Sequence, residues 1–239
     1  VTSCAGCYRT FKKDYPEVLG EPLPFDDMPF GAIAEILTKE YGKGIQPDVD
    51  DIFNNVRDDL WRCTLKADVG MTGANAIAAE EGMIGIMTNE GNAREVSTIP
   101  KKYIAVAGID RIVPDLKDAV SICYDTCKLI FGRTPTYISF ISGPSWSADL
   151  HGITSRGIHG PAEMHVVLLD NGRMKAKEEG LGEILYCINC GICMMFCPIY
   201  HYLLWKFGDK RLCGPGAVFA AYQAGLHTSV LTGLDYCTV

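Results

Sequence analysis

No stretch of this 239-residue chain approaches the roughly 20 consecutive apolar residues that a membrane-spanning helix needs. The start, Val1-Thr2-Ser3-Cys4, has neither the basic n-region nor the apolar h-region of a secretory signal. Positive charge is not in surplus. Lys and Arg number 22 against 29 Asp and Glu, for a formal net charge of −7. A surface that neutralises phosphates needs the opposite balance, so nucleic acid is excluded as the main partner. No internal repeat and no low-complexity tract is present, so a repeat array is not the architecture. There is no initiating methionine. The last residues, Asp235 to Val239, stop where a second cysteine cluster would begin. A piece of a longer protein is expected.

Cysteine is abundant, with 11 in the chain. Without a secretory leader, a disulfide scaffold is the weaker explanation for them. Metal-bound thiolates in a reducing, anaerobic cytoplasm fit better, with a membrane-bound partner left open. Hydrophobic residues make up 48% and charged residues 21%, which is enough to bury a core. The length suits one large α/β domain with a small appendage.

Three segments differ in character. In residues 1–27 a Cys-x-x-Cys pair, Cys4 and Cys7, precedes Pro16, Pro22 and Pro24, whose spacing predicts extended chain. In residues 28–174 helices alternate with short apolar runs. Phe30, Ile33, Ala34 and Leu37 recur at helical spacing. Asp48 is a good N-cap for a second helix with the stripe Ile52, Phe53, Val56 and Leu60. A further helix is predicted from Asp115 to Phe131, with Val120, Cys123, Tyr124 and Cys127 on one side. Strands are predicted at 83–88, 103–109, 137–142 and 164–169. Their continuous apolar runs suit strands buried on both faces of a parallel or mixed sheet. The alternation predicts an α/β layered domain. Residues 175–239 form a third, cysteine-rich segment: a helix into Cys187, one over Ile199–Lys206 and one after Gly216.

The third segment carries the strongest motif. Cys187, Cys190, Cys193, Cys197 and Pro198 have the spacing C-x₂-C-x₂-C-x₃-C-P. Three thiolates so spaced grip three corners of one [4Fe–4S] cube from a short loop, and Gly191 permits the tight turn. The fourth cysteine of such a run serves the other cluster of a two-cluster domain. Soft thiolates at this spacing point to iron–sulfur rather than zinc. Cys237 is placed as the first ligand of a second motif. On this count, two all-cysteine clusters need more thiolates than 175–239 offers. The first cluster is therefore expected to have an open or substituted corner. Cys213 has no place in the scheme and is read as a free, partly buried thiol. Cys63, Cys123 and Cys127 are read as core thiols, and His165 as a satisfied core histidine. The acidic charge suits an electron carrier that docks on other proteins.

Five stretches carry a family resemblance: Ala67–Asn75, Thr88–Arg94, Ile109–Pro114, Phe140–Ser145 and His159–Arg173, followed by Gly214-Pro215-Gly216-Ala217. Residues 28–239 resemble the iron–sulfur subunit of the bacterial and archaeal lactate-utilisation system. The resemblance implies an α/β LUD domain similar to the phosphosugar-isomerase and CoA-transferase-like fold. A small α-helical ferredoxin-like [4Fe–4S] domain would follow it, with two clusters in the full-length protein. Trp146 replaces the family's arginine and His151 its glutamate, which puts lactate as substrate in question. Residues 1–19 resemble the end of the CCG cysteine-rich module of heterodisulfide reductases. The implied partners are other redox subunits, including a CCG-module protein and another LUD protein.

The resemblance also places polar loops at strand ends. Asn75, Glu90, Asn92, Arg94, Ser142, Ser145, Asp149 and His159 are the ligand candidates, with Glu90 a general base and Arg94 an anion clamp. The alternative is that they cap turns and helices around Gly73, Gly91 and Gly143. Two functions stand. One is an electron-transfer subunit of an oxidoreductase complex acting on a 2-hydroxy acid or a thiol/disulfide couple. The other is a LUD-fold enzyme or small-molecule binder with structural or regulatory clusters.

Overall fold

The computed structural model describes residues 29–89, 91–209 and 211–237. The Cys4–Cys7 segment and Glu90 lie outside them. In chain order the elements are α1 (Phe30–Tyr41), α2 (Val49–Lys66), β1 (Val69–Thr72), β2 (Ala76–Ala78), β3 (Met83–Thr88) and α3 (Asn92–Thr98). Next come β4 (Lys102–Gly108), a 3₁₀ turn (Ile109–Arg111), β5 (Ile112–Val113), α4 (Leu116–Phe131) and β6 (Tyr137–Ile141). Then follow β7 (Trp146–Leu150), β8 (Ile153–Arg156), β9 (Glu163–Leu169), α5 (Arg173–Glu178) and a 3₁₀ turn (Gly182–Tyr186). The last are α6 (Ile192–Phe196), α7 (Pro198–Leu203), α8 (Cys213–Ala224) and α9 (Leu226–Leu231), with 3₁₀ turns at Leu204–Lys206 and Leu234–Tyr236. The fold is mixed α/β.

The chain divides into two compact units. Among the described residues, the first takes in Pro29–Thr72, Gly91–Ile104 and Pro144–His165; the second takes in Gly73–Asn89, Ala105–Gly143 and those from Val166 to Cys237.

In the first unit, α2 starts where predicted. The Asp48 carboxylate accepts from Asp51 N–H at 3.0 Å, and the Asp51 carboxylate reaches back to Gln46 N–H at 2.7 Å. Orphan amide donors at the helix start are thereby satisfied. Ala34, Leu37 and Ile45 form a small core that Ile33, Tyr41, Ile52 and Val56 cover. The predicted stripe is narrower than expected: Phe53 is exposed. Cys63 is exposed too, not a core thiol. Gly70 in β1 packs so tightly on the Val96 carbonyl of α3 that a Cβ would overlap it. Tyr103 is fully buried and its hydroxyl shares a 2.5 Å hydrogen bond with Thr72. His165 is a second correction. It is largely exposed, 3.7 Å from Glu163, not a core histidine.

In the second unit, a four-stranded sheet has the order β5–β2–β3–β6. β3 pairs antiparallel with β2 and with β6, and β2 pairs parallel with β5. α4 lies on this sheet, N-capped by Asp115, whose carboxylate accepts from Asp118 N–H at 2.9 Å. Its buried residues are Ala119, Cys123, Thr126 and Cys127, while Val120 and Tyr124 face out. Cys123 and Cys127 are core thiols, as expected. Burial pushes the Cys123 thiol up to about 11. The apolar runs of β6 and β9 are not buried on both faces: Val166 to Leu169 are all exposed in this chain. A third core gathers Phe207, Cys213 and Ala217, with Met194, Cys197, Leu203 and Cys237 against it. The helix predicted after Gly216 begins earlier, at Cys213, and a 3₁₀ turn rather than an α-helix leads into Cys187.

Candidate functional site

The cysteine motif sits on a loop and two short helices of the second unit. Asn189 (φ 57°) and Gly191 (φ 73°) are both left-handed. These two reversals fold the segment between Cys187 and Cys193 tightly. Asn tolerates that region and Gly adopts it without strain. Pro198 opens α7 at its first turn, where a missing N–H costs nothing. The Cys197 sulfur caps that helix, accepting from Tyr200 N–H at 3.4 Å. Cys187, Asn189, Gly191, Cys193, Met194 and Arg211 share a cavity of about 180 Å³. Cys187 donates to Asn189 Oδ1 at 3.4 Å.

Among the described residues no three His, Cys, Asp or Glu side chains close around a single ion. A cubane makes no such demand. Its four irons sit at separate corners, so its thiolates stand farther apart than the ligands of one ion. The motif's free thiols, its turn geometry and its adjoining cavity fit such a group.

Cys213 does not stand apart from this region. It is buried, holds φ 67°, and packs in one core with Cys197 and Cys237. Burial first, then the neighbouring Cys193 and Cys197, push its thiol up to about 12. The Cys237 sulfur would lie 3.0 Å from a Cβ at Gly214.

A charged hub lies beside the loop in the same unit. The side chain of Asp110, on the 3₁₀ turn after β4, is completely buried. Its carboxylate accepts from Arg173 Nε, and from Arg211 Nη2 at 2.6 Å; Arg111 Nε is 4.0 Å away. Burial raises the carboxyl, but the hydrogen bonds and charges of Arg211 and Arg173 outweigh it and hold Asp110 below its ordinary 3.8. Each arginine is positioned by its own element. Asp170 accepts from Gly172 N–H and Met174 N–H, starting α5, and its carbonyl takes Arg173 Nη1 at 3.0 Å. Side chains at Gly208 or Gly216 would strike the Arg211 carbonyl, so both glycines let that loop close. Phe219, buried on α8, lies under both guanidinium groups, 5.3 Å from that of Arg173 and 4.7 Å from that of Arg211. Arg111 Nη1 donates to the Ile188 carbonyl at 3.1 Å, which ties the hub to the cysteine loop. A cavity of about 500 Å³ opens on these three arginines.

The loop candidates are dispersed. Asn75 lines the arginine cavity, with its Oδ1 accepting from Met87 N–H at 2.9 Å. Ser142, also in the second unit, is exposed. In the first unit, Ser145 Oγ accepts from His159 N–H at 3.3 Å, and Asp149 accepts from Ser147 Oγ at 2.6 Å. Asn92 Oδ1 takes Ala93 N–H at 2.8 Å at the start of α3, where Arg94 is exposed. Trp146 stacks under the Arg156 guanidinium at 4.2 Å. Ser145 and His159 thus meet, while Asn75 belongs to another site. Arg111, Arg173 and Arg211 are not among the candidates that the sequence offers. Arg111 and Arg173 sit in two of the stretches that carry the resemblance, which was the available signal.

The LUD domain family's sequence pattern matches residues 31–169, more than half of the chain. The chain belongs to the LUD domain family. It is similar to lactate utilization protein B of Geobacillus thermodenitrificans (strain NG80-2), 34% identical over 81% of this chain and 39% of that protein. It is similar also to proteins of the same name from Bacillus subtilis (strain 168), 34% identical over 74% and 36%, and Macrococcus caseolyticus, 37% over 79% and 38%. The chain therefore spans about two fifths of the length of these relatives. A crystal structure of a DUF162 family protein from Deinococcus radiodurans is 22% identical over 44% of this chain and 55% of its own, with a TM-score of 0.31. No helix among the described residues is long and apolar enough to cross a membrane.

Proposed function

We propose that this chain is an iron–sulfur electron-transfer component of an oxidoreductase complex that oxidises lactate or a related 2-hydroxy acid. One observation carries the reading. C-x₂-C-x₂-C-x₃-C-P lies on a doubly reversed loop with Cys187 and Cys193 on one cavity. The relatives' name, lactate utilization, supports the pathway side of the reading.

Cys187, Cys190 and Cys193 would hold the first cube, and Cys197 with Cys237 would serve the second. A bound [4Fe–4S] group supplies one-electron chemistry. The rest falls to the chain's own residues. Arg111 holds the Ile188 carbonyl and so fixes the loop between the first two thiols. Arg211 lines the same cavity as Cys187 and Cys193 and sets a positive charge beside the cluster's place. Phe207 and Ala217, both fully buried, shield the Cys197 side from water. The partners proposed are other redox subunits, including a CCG-module protein, in a reducing cytoplasm.

The experiment is an anaerobic reductive titration followed by electronic spectra. The expected result is reversible bleaching of a thiolate-to-iron charge-transfer band. A band that no physiological-strength reductant alters, in protein that still turns over a small molecule, would overturn the electron-transfer reading.

A further inference from the structure

We propose that the cavity between Asn75, Arg111, Arg173 and Arg211 is a binding site for a small organic molecule with an oxyanion headgroup. This goes beyond the iron–sulfur reading and does not require a cluster to be bound.

Charge is the first ground. Three guanidinium groups surround one carboxylate, Asp110, so the hub keeps an excess of positive charge. All three side chains are mostly buried, where a charge without a partner is costly. Bidentate guanidinium geometry suits carboxylate and phosphate alike.

Unsatisfied donors are the second. Among the described residues, Arg211 Nη1 and Thr126 Oγ1 are the buried side-chain polar atoms without a hydrogen-bond partner. Both residues line this cavity, and Thr126 is only 4% exposed. Buried donors are rarely left unpaired, and an anion in the cavity would accept from both. With its oxygen taken by Met87 N–H, Asn75 retains its amide donor. Arg211 Nη1, Thr126 Oγ1 and the Asn75 amide are thus left to donate, as an anion requires.

Size and lining set the class of ligand. The volume, about 500 Å³, falls within the range for small-molecule sites and exceeds what a three-carbon acid alone would fill. Met87, Val106 and Ile130 give the wall an apolar side. The molecule that fits is therefore amphipathic, its oxyanion on the arginines and its body on the apolar wall. Ile188 and Asn189 belong to the wall as well, so the ligand would rest directly against the cysteine loop.

The test is isothermal titration of the purified full chain, in chloride buffer at pH 7, with inorganic phosphate and with citrate as separate probes. Two variants accompany it, Asn75→Asp and Gln223→Glu, each placing a near-isosteric negative charge in the lining. The expected result is saturable one-site binding of at least one probe, weakened at least tenfold in each variant that melts like the parent. Binding of phosphate alone makes the headgroup phosphoryl, and binding of citrate alone makes it carboxylate; either sustains the site. No binding of either probe, or unchanged binding in a folded variant, overturns it. Should Asn75→Asp not fold, Gln223→Glu decides the matter by itself.

Discussion

Asp110 illustrates what a single residue does here. The chain within Ile109–Pro114 drew attention as a motif, but its partners lie 63 and 101 residues further on. Nothing in local spacing announces such pairs, so the hub emerged only from the tertiary structure. Replacing Asp110 with Asn would leave Arg173 and Arg211 buried without their counter-charge, at a cost of about 3–5 kcal/mol. Urea denaturation at pH 7 should show that loss. The pH dependence has a definite sign. Because folding lowers the Asp110 pKa, its contribution is complete above the ordinary 3.8 and disappears as pH falls through that value toward the folded one. The parent should lose stability across that acidic window, and Asp110→Asn should lose less. Cysteines were read less evenly. Two of the thiols on α4 were correctly placed in the core by their apolar neighbours. Cys63 was misplaced, because a buried thiol is the common case and its helix has one narrow packed face. Native-state alkylation with mass spectrometry should label Cys63 quickly and leave Cys123 unmodified, its thiol being buried and raised to about 11.

Elements were the most readable level. Asp48 announced α2 through its capping chemistry and caps as expected, and Asp115, the predicted start of α4, caps that helix as well. Apolar runs marked β3, β4, β6 and β9. What the runs could not reveal was pairing. A continuous run gives a strand its length, whereas direction depends on the connection. The sheet is mixed, one of the two arrangements expected, with β3 antiparallel to both neighbours and β2 parallel to β5. Nor do apolar runs say which faces are covered, as exposed β9 shows. Gly70 is a tighter constraint than its place in a strand suggests. Gly70→Ala should push β1 off α3 and cost about 1–3 kcal/mol or more through overpacking, seen as a lower urea midpoint with an unchanged slope.

For the whole molecule, the family was legible because its stretches are spread in order along most of the chain. The LUD pattern spans 31–169. The ligand loops were less so: the resemblance named Ser145 and His159, which meet through His159 N–H on Ser145 Oγ, but overlooked the arginines that gather from three distant segments. The thiol motif was readable because its ligands are close neighbours in sequence. Electron transfer by this chain depends on those thiols holding iron. Iron and sulfide analysis with EPR after anaerobic reconstitution, on the parent and on Cys193→Ser, tests this most directly. The expected result is iron and sulfide in equal amounts, up to about four of each in the first cube, with a reduced-state EPR signal lost or altered in Cys193→Ser. A folded parent that retains no iron, or iron that Cys193→Ser leaves unchanged in amount and signal, would contradict it.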